Sequence, residues 1–87
     1  MLRMYPYMVL SDGTGVLHSK VYEEGGSQKV EVHFQKETEN GYHIAYCILP
    51  EYNWFKCEGF ARKDISQFEL FLRENVFWIY EYAKEKC

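Results

Sequence analysis

The chain has no run of basic residues, and its 10 lysines and arginines are outnumbered by 13 aspartates and glutamates, for a net charge of −3. Electrostatic capture of a nucleic-acid backbone needs clustered positive charge, so nucleic acid is a poor first guess for a partner. No apolar run reaches the roughly 20 residues that a bilayer-spanning helix requires. Met1 to Leu10 carries one arginine and a short apolar run broken by Pro6, without a small-residue cleavage site. That combination reads as neither signal peptide nor membrane segment, and the expected location is the cytoplasm. Cys47, Cys57 and Cys87 form neither an even set nor a CxxC pair, which favours reduced thiols and excludes a zinc ribbon. The glycines of Ser11-Asp12-Gly13-Thr14-Gly15 lack the lysine of a phosphate-binding loop and are not followed by a helix, so they read as a hairpin loop.

What is present is apolar and aromatic. An apolar content of 47% excludes a disordered chain, and an aromatic share of 18%, with eight tyrosines, implies a surface rich in rings. Eighty-seven residues make one domain, 1–87, with a modest core.

The longest periodic stretch lies at the carboxy-terminal end. Ile65, Phe68, Leu72, Val76, Ile79 and Ala83 recur at steps of three and four, which places them on one stripe of a helix over 64–85, flanked by Phe71, Trp78 and Tyr82. Asp64 is the expected N-cap, with Gln67 completing a capping box, and Lys84 and Lys86 suit the negative end of the helix dipole. Asn75 falls inside the apolar arc, and the expectation is a single helix with that amide bonded to a loop. Leu70 and Phe77 stand one heptad apart on the far side, a second patch that the first face cannot bury.

The remainder reads as strands. Leu2 to Leu10 alternates and suits an edge strand, since Pro6 cannot donate to a ladder. Val16 to Glu23 and Gln28 to Lys36 flank Gly25-Gly26, a pair suited to a type I′ turn. Pairing Glu24 with Ser27 then sets Val21 opposite Val30, Ser19 opposite Val32 and Leu17 opposite Phe34, with His18 beside His33 on the other face. Tyr42 to Leu49 returns after Glu39-Asn40-Gly41. The chosen register aligns Ile44, Tyr46 and Ile48 with Lys36, Phe34 and Val32, rather than Ala45, Cys47 and Leu49, because bulkier residues then meet the core. Pro50 closes that strand, an aromatic loop fills 50–60, and Phe55 to Glu58 has the character of a short fifth strand. The expected architecture is α+β: an antiparallel four-stranded β-meander over 2–49, packed on one face by a long C-terminal α-helix (ββββα).

No reaction-specific motif is present. In the chosen register His18, His33 and Cys47 form a row across three strands on the open sheet face, and two imidazoles with a thiolate are chemically suitable for zinc. Two solvated histidines and a half-covered thiol are the plainer reading. Cys57 with His43 is the other nucleophile and base pairing, with nothing local to join them. Tyr52 and Trp54 in the aromatic loop suit either a binding hot spot or a cap on the open end of the core. The functional expectation is a non-enzymatic protein-interaction domain, a homodimer or the binder of a protein partner, acting through Leu70, Phe77 and Tyr80 or through the outer sheet face. A small-ligand or metal site on His18 and His33 is the alternative. A third reading is weak nucleic-acid binding through Trp54 with Lys56, Arg62 and Lys63.

Overall fold

The computed structural model describes residues 3–85; Leu2, Lys86 and Cys87 lie outside the described residues. Six strands precede one helix: β1 Tyr5–Val9, β2 Gly15–His18, β3 Tyr22–Glu24, β4 Ser27–Thr38, β5 Gly41–Leu49, β6 Asn53–Glu58 and α1 Arg62–Glu85. All pairings are antiparallel, in the spatial order β1-β2-β4-β5-β6, with β3 also paired to β4. The α+β class is as expected, whereas the four-stranded meander becomes a six-stranded sheet.

Two strands arise where one was expected because a single residue is taken up between them. Gly25 and Gly26, with φ of 60° and 82°, make the two-residue turn that pairs Glu24 with Ser27. Past β3, however, the ladder is one residue out of step, and His18 pairs with Val32 and Val16 with Phe34. Ser19 fills the gap: its amide donates to the Glu31 carbonyl at 2.9 Å and its Oγ accepts from the Glu31 amide at 2.9 Å. A side-chain oxygen thus replaces a ladder acceptor, and the strand polarity flips. Val16 and His18 turn inward and Leu17 outward, the reverse of the expected face.

The β4–β5 register is also corrected. Glu39 and Asn40 form the two-residue turn, Thr38 pairs with Gly41 at φ 117°, and Thr38 Oγ1 donates to the Gly41 carbonyl at 2.7 Å. Phe34 therefore faces Ala45, Val32 faces Cys47 and Val30 faces Leu49, all six buried, while Ile44, Tyr46 and Ile48 lie on the outer face. The physical reason is volume. The Phe34 ring stacks on Phe68 of the helix at 4.3 Å and meets Phe71 edge-on, and small neighbours at Ala45 and Cys47 leave room for that stack.

The expected aromatic loop is largely strand. Tyr52, at φ 58°, turns the chain, and β6 pairs Trp54 with Cys47 and Lys56 with Tyr46 around an irregularity at Phe55. The helix begins before Asp64, which is its third residue rather than its cap. Ala61 holds the cap position, and the Asp64 carboxylate reaches back to accept the Ala61 amide at 2.8 Å, the reciprocal half of a capping box. Phe68, Leu72, Ile79 and Ala83 are buried on the sheet, and Ile65 and Val76 are half-buried beside them. Asn75 does not break the helix: its Nδ2 donates to the Phe71 carbonyl at 2.9 Å, and its Oδ1 accepts from the hydroxyl of Tyr7 on β1 instead of from a loop. No helix of the described residues is long and apolar enough to cross a membrane.

Candidate functional site

The apolar arc of α1 is wider than the sheet beneath it, so part of it remains in water. Leu70 is 60% exposed, Phe77 62% and Trp78 55%, and the rings of Phe77 and Trp78 meet edge to face at 5.1 Å. Leu70 and Phe77 share the outward ridge because seven residues make nearly two turns. Trp78, expected along the covered flank, stands out on the side toward β1, where Tyr82 is also 45% exposed. Opposite charges border the ridge. Arg73 is bonded to Glu69 at 3.1 Å and Lys84 to Glu81 at 3.5 Å. Beside Leu70 a groove of about 260 Å³ runs between Arg62, Ile65, Ser66, Glu69 and Arg73.

The other three expected contact residues hold the fold together. Tyr80 is half-buried and donates its hydroxyl to the Gln28 carbonyl at 3.0 Å, and burial raises its pKa. Tyr52 is half-buried, with the Arg73 guanidinium 4.3 Å above its ring. Trp54 turns toward the core, its ring 5.8 Å from Phe34 and its Nε1 donating to Glu69 at 3.2 Å. Alternation along 53–58 would group Trp54 with Lys56 and Glu58, so no local pattern turns Trp54 inward; the irregularity at Phe55 does. The interleaved aromatic and basic set is likewise divided: Trp54 lies on the core side, Lys56 over Tyr46 on the outer face, and Arg62 and Lys63 on the first turn of α1.

The row expected to suit zinc does not form. His18 and Cys47 point toward the helix, separated by Val32 on the strand between them, and His33 points to the opposite face. Among the described residues no group of three His, Cys, Asp or Glu side chains is arranged to hold a metal ion. Each of the three has another role. His18 is 1% exposed and its Nδ1 lies 2.8 Å from the Ser19 carbonyl. Burial pushes the Cys47 thiol up to about 12, which keeps it neutral and unreactive. His33 stacks on Tyr46 at 3.6 Å and pairs with Glu31 at 2.5 Å.

That stack is the centre of the outer sheet face, with Phe55 tilted against Tyr46 at 5.9 Å and Leu17, Ile44 and Ile48 half-buried around it. Most of this face is covered by its own neighbours, in contrast to the helix ridge. Cys57 is exposed, with its Sγ 3.8 Å from the Phe60 carbonyl, and His43 packs edge-on against the Phe60 ring at 5.5 Å. Among the described residues no hydrogen bond joins Cys57 to His43, so the geometry of an activated thiolate is not assembled. Among the described residues, strand β1, with Pro6, pairs only with β2 and is an edge strand, in line with its proline.

Compared with known proteins, the chain matches no family model, and no curated protein or solved structure is significantly similar to it.

Proposed function

We propose that this protein is a non-enzymatic interaction domain that self-associates through the outward ridge of α1. The observation that carries the reading is the exposed Phe77–Trp78 pair, with Phe77 one heptad from Leu70, on a helix whose opposite face is packed on the sheet. A second copy is the occupant that fits. A two-fold axis between residues 73 and 74 sets the helices antiparallel, brings Leu70 level with Phe77 of the second copy, and makes the contact self-complementary. It also sets Arg62 level with Glu85 and Arg73 level with Glu74 of the second copy, against one like-charge pairing of Lys63 with Lys84, and aligns the helix dipoles favourably.

The magnitude is modest. Each of the three side chains still has more than half its surface in water, so burying it is worth about 1 to 2 kcal/mol. Summed over two copies, this is about 6 to 12 kcal/mol, which falls inside the range of about 4 to 15 kcal/mol for the cost of association, and makes a weak and concentration-dependent dimer. Sedimentation equilibrium over a wide concentration range tests it. Self-association should be abolished by Phe77→Glu and unaffected by Phe55→Glu on the outer sheet face. A monomer at every concentration, or dissociation by Phe55→Glu alone, refutes the reading.

A further inference from the structure

His18 is almost wholly enclosed, yet only half of its imidazole is used. Its Nδ1 lies 2.8 Å from the Ser19 carbonyl. A carbonyl oxygen only accepts, so in the neutral imidazole Nδ1 carries the hydrogen and Nε2 is left with a lone pair. No described residue bonds to Nε2, and Thr14 Oγ1 is the one side-chain polar atom among the described residues that is both sealed from solvent and without a partner. Nε2 therefore still reaches open space, and the space that His18 lines is a pocket of about 210 Å³ between β1 and the last third of α1, walled by Pro6, Tyr7 and Tyr82.

The walls determine what suits it. None of the four lining residues is acidic, lysine or arginine. The Tyr7 hydroxyl is committed as a donor to Asn75 Oδ1 at 2.9 Å, and burial raises its pKa, so it stays protonated. Tyr7 meets the imidazole edge-on at 6.4 Å and the Tyr82 ring at 5.7 Å, which makes the sides aromatic. The unfilled requirement is a hydrogen-bond donor at the floor, carried on a flat apolar body. A carboxylate would set its lone pairs against that of Nε2 and find no cation among the four lining residues. For scale, a dry apolar cavity of about 150 Å³ admits benzene, so this volume takes one six-membered ring with a polar substituent.

We propose that the Pro6, Tyr7, His18 and Tyr82 pocket binds a small neutral aromatic molecule bearing one hydrogen-bond donor, of the phenol class, with His18 Nε2 as the acceptor. The ring lies against Tyr7 and Tyr82, and the ligand hydroxyl displaces any water on Nε2 while keeping that atom bonded.

The test is an NMR titration of the ¹⁵N-labelled full chain with phenol, toluene and benzoate as probes, reading the His18 ring nitrogens. Phenol should move the Nε2 resonance saturably in the millimolar range. Toluene, matched in shape but without the donor, should bind about five- to tenfold more weakly, and benzoate should leave His18 unmoved. His18→Phe should remove the preference for phenol over toluene, and Tyr82→Ala, on the exposed wall, should weaken both. The ranking of the three probes on the unaltered chain decides the matter even if His18→Phe fails to fold. No saturable change at His18, equal affinity for phenol and toluene, or binding of benzoate as tight as that of phenol would each overturn the proposal.

Discussion

Tyr7 and Asn75, 68 residues apart in the chain, are joined by a hydrogen bond of 2.9 Å from the tyrosine hydroxyl to the asparagine Oδ1. This bond explains why an amide is tolerated on the sheet-facing arc of a helix. Nδ2 is satisfied within the helix by the Phe71 carbonyl, and Oδ1 is satisfied from β1. The pair ties the edge strand to α1.

Removing the donor should therefore cost more than an ordinary surface change. Tyr7→Phe leaves a half-buried amide oxygen without its partner and is expected to lower unfolding free energy by about 1 to 2 kcal/mol in urea titration. Asn75→Leu made on top of Tyr7→Phe should recover part of the loss, because an apolar pair needs no bond. Additive losses in the double-mutant cycle would show that the two side chains are not coupled.

Gly59 is the glycine that the packing requires. Its φ is +93°, and a β-carbon built there would lie 2.3 Å from Cδ2 of His43. Gly59→Ala should destabilise the fold by about 2 to 4 kcal/mol, combining a left-handed backbone with a clash. His43→Ala in the same chain should recover the clash and leave the backbone cost of roughly 1 kcal/mol. Thermal unfolding of the parent chain and the two variants separates the two contributions. Equal stability of Gly59→Ala and the parent chain would mean that His43 does not pack there.

Cys47 makes stability depend on alkaline pH. Burial, with a smaller contribution from the Glu69 carboxylate, raises its thiol from 9.0 to about 12. Below pH 9 both folded and unfolded chains hold the proton, and the stability is fully present. As pH rises from 9 to 12 the unfolded chain releases the proton first, so stability falls, by an upper bound of about 4 kcal/mol at 1.36 kcal/mol per unit. The raised pKa values of Tyr7, Tyr22, Tyr52 and Tyr80 act in the same direction. Cys47→Val should flatten the decline measured by urea unfolding between pH 9 and 11. Iodoacetamide mapping of the native chain should modify Cys57, which is exposed, long before Cys47. Rapid native modification of Cys47 would contradict its burial.

The candidate surface is partly legible in the sequence. Leu70 and Phe77 follow from heptad spacing and are exposed as expected. Trp78 and Tyr82 do not, because whether a flanking residue is covered depends on how far the sheet extends beneath it, and β1 is only 5 residues long. The intramolecular roles of Tyr80, Tyr52 and Trp54 are not legible for a related reason. Each finds a partner distant in sequence, at Gln28, Arg73 and Glu69, which no local pattern reveals.

The amino-acid order alone determined the α+β class, the inward stripe Ile65, Phe68, Leu72, Val76, Ile79 and Ala83, and the turn at Gly25-Gly26, because these rest on helical period and on glycine's access to positive φ. Tertiary structure alone decided which side of β2 and β5 is buried. Val16 alternates with Leu17, Ala45 with Ile44, and Cys47 with Tyr46, so both faces of these strands are apolar and a one-residue slip exchanges them at little local cost. The choice falls to the helix, whose Phe68 needs space over Phe34 that only the smaller set provides.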